Sequence, residues 1–260
     1  MKKILIVLST VVFTLFSGCS KWAGDPVTKA FSVGDAYIAL DVEDAFDVYV
    51  SDTATQITIT VGENIMPHVK VVNADNKLSI YLKGWTTNRG SDMKVILPYN
   101  AELRRIGLHG ASEFHTDFTI VAEEVEIKLT GASDFYGNIE AGDIEMDLSG
   151  ASSFSGHVST HEMDLDMSGS SDAALEGQVD YLDMDLSGAS TIKNIVVDNH
   201  YALVCDRCNG SMSGSSDAYL HSDGTITVTL SGSSDLYYTG SANTRGSSMS
   251  GSSEIIHNEF

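Results

Sequence analysis

From residue 108 onward, apolar and polar side chains alternate in short runs that keep returning. In "DIEMDLSG", Ile144, Met146 and Leu148 alternate with Glu145, Asp147 and Ser149. "EMDLDMSG" repeats the pattern with Met163, Leu165 and Met167, and "YLDMDLSG" repeats it with Leu182, Met184 and Leu186. A period of two puts one set of side chains in a core and the other in water, so each run predicts a half-buried strand. Each run ends in a Gly-Ser phrase. A small residue, a Ser and usually an acid follow, then another apolar position: Phe114, Phe135, Phe154, Ile192, Leu236 or Ile255. One repeat thus reads as strand, tight turn, strand, second turn. No sustained apolar pattern at helical spacing occurs beyond the N-terminal leader, so the expected class is all-β.

The glycines of the phrase are Gly110, Gly131, Gly150, Gly169, Gly188, Gly214, Gly232 and Gly251, separated by 21, 19, 19, 19, 26, 18 and 19 residues. A near-constant period of this size signals stacked units, each burying its apolar face against its neighbours. The expected fold is a right-handed β-helix, or solenoid, with coils of about 19 residues; a meander or sandwich of hairpins is the rival. The glycines suit a turn that needs positive φ or close backbone approach. Two positions later stands Ser in every copy, placed to satisfy turn backbone groups. The single long gap carries "DNHYALVCDRCNG", which reads as a protruding insertion holding Cys205 and Cys208.

Residues 31–107 also alternate, with "NADN" as a hairpin connection, and form an N-terminal β region continuous with the eight repeats of 108–260. Before them, "MKK", the apolar run "ILIVLSTVVFTLF" and "SGC" have the layout of an export signal over residues 1–18. "LFSGC" resembles the bacterial lipoprotein signal, which implies lipidation of Cys19 and a short tether over 19–30.

"NADNKLSIYL", then "MKVILP" leading into "GLHGAS", then serial "SGAS" and "SGSS" phrases resemble the head-GIN-domain family of bacterial exported, auto-transporter-like adhesins. The likeness runs from about Phe31 to the C-terminus. It implies a β-helical fold, a role in cell adhesion and no catalytic residues to carry over.

The formal charge is −21; losing Lys2 and Lys3 with the leader leaves 13 basic against 36 acidic residues, or −23. Such a surface disfavours nucleic acid and anionic lipid and attracts cations. In an exported protein Cys205 and Cys208 are most simply a local disulfide. Stacking in register would line up Glu126, Glu145, Asp164 and Asp183 in one acidic column. Asp147, Asp166 and Asp185 would form another, headed by Lys128. These columns are either a solvated face or a carboxylate ladder for Ca²⁺. Tyr136, Tyr219 and Tyr237 share the fifth position after the Gly and are expected to face outward, where rings can stack on sugars or proteins. "HVSTH" at 157–161 has metal-ligand spacing only if helical.

A serine nucleophile would need its own base and orienting group, which eight equivalent copies cannot all have. A polysaccharide lyase would want Ca²⁺ and a basic residue, yet Lys128, Lys193, Arg207 and Arg245 fall in different columns. The sequence therefore predicts a lipid-anchored, non-catalytic binding protein of a Gram-negative cell envelope. It would sit on the outer membrane, facing periplasm or cell surface, with a host or glycan surface as ligand. A carbohydrate-active enzyme and a periplasmic structural or signalling protein are the alternatives.

Overall fold

A computed structural model describes residues 23–32, 36–84 and 92–259. The predicted leader and Cys19 lie outside the described residues. Strands make up 61% of the chain and helix about 1%, the latter a single turn at Met66–His68. The all-β expectation holds.

Successive repeats stack in parallel register. Strand Ile139–Leu148 lies beside Ser153–Met167, with Ile144 opposite Met163, Met146 opposite Leu165 and Leu148 opposite Met167. Asp172–Leu186 continues the series on the other side of Ser153–Met167. The inward set is fully buried, as the period of two requires: Ile127, Met146, Leu165 and Met184 are all 0% exposed. Phe114, Phe135 and Phe154 stack inside, with ring centroids 5.2 and 5.1 Å apart.

The expected right-handed β-helix is corrected by the way the sheet closes. Asp172–Leu186 pairs with Thr191–Ile192, which pairs with Asp217–His221; that strand pairs with Leu203–Met212, which returns to Asp172–Leu186. All four contacts are parallel, forming a closed four-stranded barrel core within a 21-stranded sheet, with 17 further strands attached. The sequence pattern calls for a second turn in each repeat, but Ser153–Met167 and Asp172–Leu186 run unbroken for 15 residues. Asp172–Leu186 therefore pairs with two later strands, Thr191–Ile192 and Leu203–Met212, and the ring closes through Asp217–His221.

The N-terminal end departs further from a uniform parallel stack. Pro26–Phe31 pairs antiparallel with Ile57–Gly62, which pairs antiparallel with Met93–Pro98. Residues 26–30, expected in a tether, are thus strand. Val69–Ala74 and Lys77–Leu82 form the predicted hairpin, with Asp75 and Asn76 at φ 53° and 60° in its turn.

The Gly-Ser phrase is a turn stacked on its own copies. Gly150 has φ 85°, and a Cβ there would run into the carbonyl oxygen of Gly131. That oxygen accepts a hydrogen bond from the Ala151 amide at 2.6 Å, and the Ser170 amide bonds Gly150 in the same way at 2.7 Å. The serine two residues on is buried and donates inward: Ser190 Oγ reaches the Ser187 carbonyl at 2.7 Å and Ser133 Oγ the Thr130 carbonyl at 2.9 Å. The column begins one turn earlier than the phrase. Asp44, at φ 76°, accepts the Ala111 amide at 2.7 Å in the place a glycine fills elsewhere.

The expected Cys205–Cys208 disulfide is also corrected: both thiols are free and fully buried. The insertion that protrudes is the small hairpin Val196–Val197 with His200–Tyr201, upstream of the cysteines. Cys205 and Cys208 occupy apolar positions of Leu203–Met212, opposite Val179 and Leu182, and flank a corner at which Asp206 and Arg207 are exposed. They serve as small hydrophobes in the core. Burial and the hydrogen bond with Cys205 push the Cys208 thiol well above its ordinary pKa, the bond being the larger cause.

Candidate binding surface

Parallel register turns every outward position into a column about 4.8 Å from rung to rung. On one face Glu126, Glu145, Asp164 and Asp183 lie opposite one another in sequence, and beside them Lys128, Asp147, Asp166 and Asp185 do the same. The first column starts next to Arg105, whose Nε is 3.7 Å from Glu126 Oε2. In the second, Lys128 Nζ is 3.0 Å from Asp147 Oδ2, and the Ser211 amide donates to Asp185 Oδ1 at 3.1 Å. Between these ends the acids face one another. Glu145, Asp164 and Asp166 are raised above the usual carboxylate range, first by desolvation and then by neighbouring carboxylates.

The calcium expectation meets a geometric difficulty. Among the described residues no group of three or more His, Cys, Asp or Glu converges as a metal site would require. Rungs of a sheet hold carboxylates side by side, whereas Ca²⁺ needs six to eight oxygens pointing at one centre. The histidines of "HVSTH" do not converge either: His157 packs beside Gly177, while His161 Nδ1 meets Asp180 Oδ2 at 2.9 Å.

Another face carries aromatic side chains. Tyr49, His115 and Tyr136 are neighbours on three successive strands, with ring centroids 4.7 Å apart and planes within 5° and 9° of parallel. Further along, Tyr219 and Tyr237 stack at 4.6 Å and 5°. All belong to the fifth position after the turn. The sequence pattern gives Tyr136, Tyr219 and Tyr237 directly. It misses Tyr49 and His115, the first because Asp44 hides its turn and the second because a histidine does not read as a ring in a stack. Two residues before each ring stands another outward column: Asp47, Glu113, Asp134, Ser153, Asp172, Thr191, Asp217, Asp235 and Glu254. Desolvation, then these acids, raises the phenols of Tyr136, Tyr219 and Tyr237 above their ordinary pKa.

One hydrogen-bonded chain has the outline of a nucleophile, a base and an orienting acid. Thr130 Oγ1 is 2.8 Å from His109 Nδ1, and His109 Nε2 is 3.0 Å from Asp41 Oδ1. Asp41 also holds Lys77 at 3.0 Å, so its charge is shared. The two described clefts, one of about 260 Å³ between Leu97–Leu103 and Thr116–Val121, contain neither Thr130 nor His109. Thr130 and His109 each directly precede the turn glycine in neighbouring repeats, so their hydrogen bond also ties one turn to the next. The bases weighed for a lyase are dispersed: Lys128 holds Asp147, Lys193 holds Asp172, and Arg207 lies over Tyr181 at 5.4 Å.

No helix among the described residues is long and apolar enough to cross a membrane. No curated protein matches the sequence. Solved structures do resemble the fold. A putative adhesin from Parabacteroides merdae superposes with a TM-score of 0.78 at 18% identity, covering 91% of this chain and 97% of its own. A putative adhesin from Parabacteroides distasonis gives 0.73 at 19%, over 91% and 95%. A putative lipid binding protein from the same species gives 0.72 at 19%, over 91% and 98%. Residues 36–155 and 136–242 each match the family described as "putative auto-transporter adhesin, head GIN domain", and the chain belongs to that family.

Proposed function

We propose that this protein is a non-catalytic binding protein of the cell envelope, anchored by a lipid on Cys19 and presenting the outer faces of its sheet to a partner. One observation carries the reading: the outward groups are spread along columns several strands long. Catalysis needs a few groups aimed at one reacting atom, whereas a row of rings and carboxylates at even spacing suits an extended surface. The adhesin description of the family points the same way. The lipid-binding description of one neighbour belongs to that protein.

The anchor is proposed to be the outer membrane of a Gram-negative cell, with the sheet facing periplasm or surface. The test is a glycan and extracellular-matrix array probed with the full-length, detergent-solubilised chain, alongside protease shaving of intact cells. Saturable binding to one class of ligand supports the reading. Turnover of an acidic glycan, abolished by a single Lys or Arg substitution, would replace it with a lyase.

A further inference from the structure

The aromatic column is interrupted, and the interruption has a definite shape. After Tyr136 the next two rungs carry Ser155 and Ala174, neither of which bears a ring, and the following rung carries Lys193. Tyr219 and Tyr237 then resume the stack. A notch two rungs wide therefore lies between Tyr136 and Lys193, whose rungs stand three strand spacings or ~14 Å apart, and two small residues floor it. Tyr136 is 40% exposed, and only one face of its ring is stacked on His115; the other faces the notch. Asp134 and Asp172 stand along the rim, two residues from Tyr136 and Ala174 on their own strands.

The other end of the same stack shows what closes such a face. There Lys94 places its Nζ 4.4 Å from the centroid of Tyr49, so the order is cation, Tyr49, His115, Tyr136, notch. At the far wall Lys193 Nζ sits 2.7 Å from Asp172 Oδ2, showing that this rim binds a cationic side chain. A guanidinium meets both demands at once. Its flat face stacks on a tyrosine, and its fork of N–H donors fits a carboxylate beside the ring. An extended peptide places alternate side chains ~6.7 Å apart, so two arginines one residue apart fit within ~14 Å. The charge of −21 favours approach of a basic segment.

We infer that the notch between Tyr136 and Lys193 binds arginine side chains of an extended, basic peptide segment on a partner protein, stacking one guanidinium on Tyr136 against Asp134 and placing a second beside Asp172. This rests on the binding reading above and names its partner class.

The test is fluorescence anisotropy of the full-length, detergent-solubilised chain with a labelled octa-arginine peptide, octa-lysine and a neutral β-linked oligosaccharide serving as comparisons. Octa-arginine should bind more tightly than octa-lysine, and the oligosaccharide should not compete. Tyr136→Ala, and Ser155→Tyr, which fills the notch with a ring from an already outward position, should each weaken octa-arginine binding about tenfold. The double change Glu123→Gln with Glu124→Gln removes two exposed charges that lie outside both the notch and the acidic columns and should leave it within about twofold. Melting curves of each variant separate loss of binding from loss of fold. Equal weakening by that distant pair would reduce the effect to general charge and overturn the inference. So would full binding by a folded Ser155→Tyr protein, equal affinity for octa-lysine, or preference for the oligosaccharide. Saturable array binding by a folded protein that shows no binding of octa-arginine would overturn the notch alone; absence of binding both to the array and to octa-arginine would overturn the binding reading itself.

Discussion

The ammonium of Lys128 lies 3.0 Å from Oδ2 of Asp147, its neighbour one strand further along the same outward column. Beyond Asp147 that column continues as Asp166 and Asp185, so the lysine offsets the leading edge of a run of like charge. Its own pKa is raised, first by the hydrogen bond to Asp147 and then by that acid's charge. Lys128→Glu should lower the melting temperature at low ionic strength. The loss should stay near 1 kcal/mol, because both groups are well exposed and exposed pairs are weak. Thermal unfolding in about 1 M salt should remove most of the difference, since the screening length there falls to ~3 Å.

The carboxylates between the column ends predict an unusual pH response. Glu145, Asp164 and Asp166 are raised in the folded state, with desolvation as the first cause. A raised carboxylate destabilises the fold above its folded pKa, and the penalty lifts as pH falls through that value. His161 acts in the same direction: its pKa is raised by the hydrogen bond and charge of Asp180, giving stability that is present at low pH and lost as pH rises. Asp223 opposes them at lower pH, because the Ser241 amide and hydroxyl hold its carboxyl below the usual range. Melting temperature should therefore rise from about pH 7 to about pH 5 and fall at stronger acid. A scan that declines steadily from neutrality would refute the account.

Gly150 tests the turn column. Ala at this position meets two obstacles, a φ of 85° and the Gly131 carbonyl oxygen beneath it. The strained backbone alone costs roughly 1–3 kcal/mol. The steric contact adds to this, because the Ala151 amide holds that oxygen in place. Gly84→Ala is the informative comparison: it too has positive φ, at 72°, but nothing lies within 4 Å of its added Cβ. Chemical denaturation should show a much larger loss for the Gly150 change.

The cysteine pair predicts chemical silence. Cys205 and Cys208 are fully buried, and the Cys208 thiol is raised far from the reactive thiolate. Native protein should take up no iodoacetamide on either residue, and unfolding without reductant should expose both. Mass spectrometry that finds a bridged peptide after denaturation would restore the disulfide.

Much of the strand pattern could be read from Ile144, Met146, Leu148 and their copies, because alternation reports burial one residue at a time. The acidic columns followed from the same spacing once parallel register was assumed. The closed barrel core could not be read in this way. It depends on Ser153–Met167 and Asp172–Leu186 staying hydrogen-bonded through their bends, and periodicity carries no record of bends. Tyr49 was hidden for a different reason. Asp44 adopts the left-handed turn that glycine makes elsewhere, so the repeat preceding Gly110 lacks its punctuation. The cysteines were misplaced because the long gap between Gly188 and Gly214 suggested a protruding insertion, while their positions opposite Val179 and Leu182 belong to the core.

Stacked turns also fix how this surface can vary. Gly131, Gly150 and Gly169 each rest on the previous glycine, so a whole 19-residue unit is the natural quantum of insertion or deletion. Loss of residues 150–168 would bring Gly169 onto Gly131 with every turn bond replaced by its equivalent. It would also carry Ala174 to the rung beside Tyr136 and shorten the gap between the two ring stacks by one strand. The interval between Tyr136 and Tyr219 is thus a ruler graduated in strands, and descendants of this chain can reset it only in whole steps.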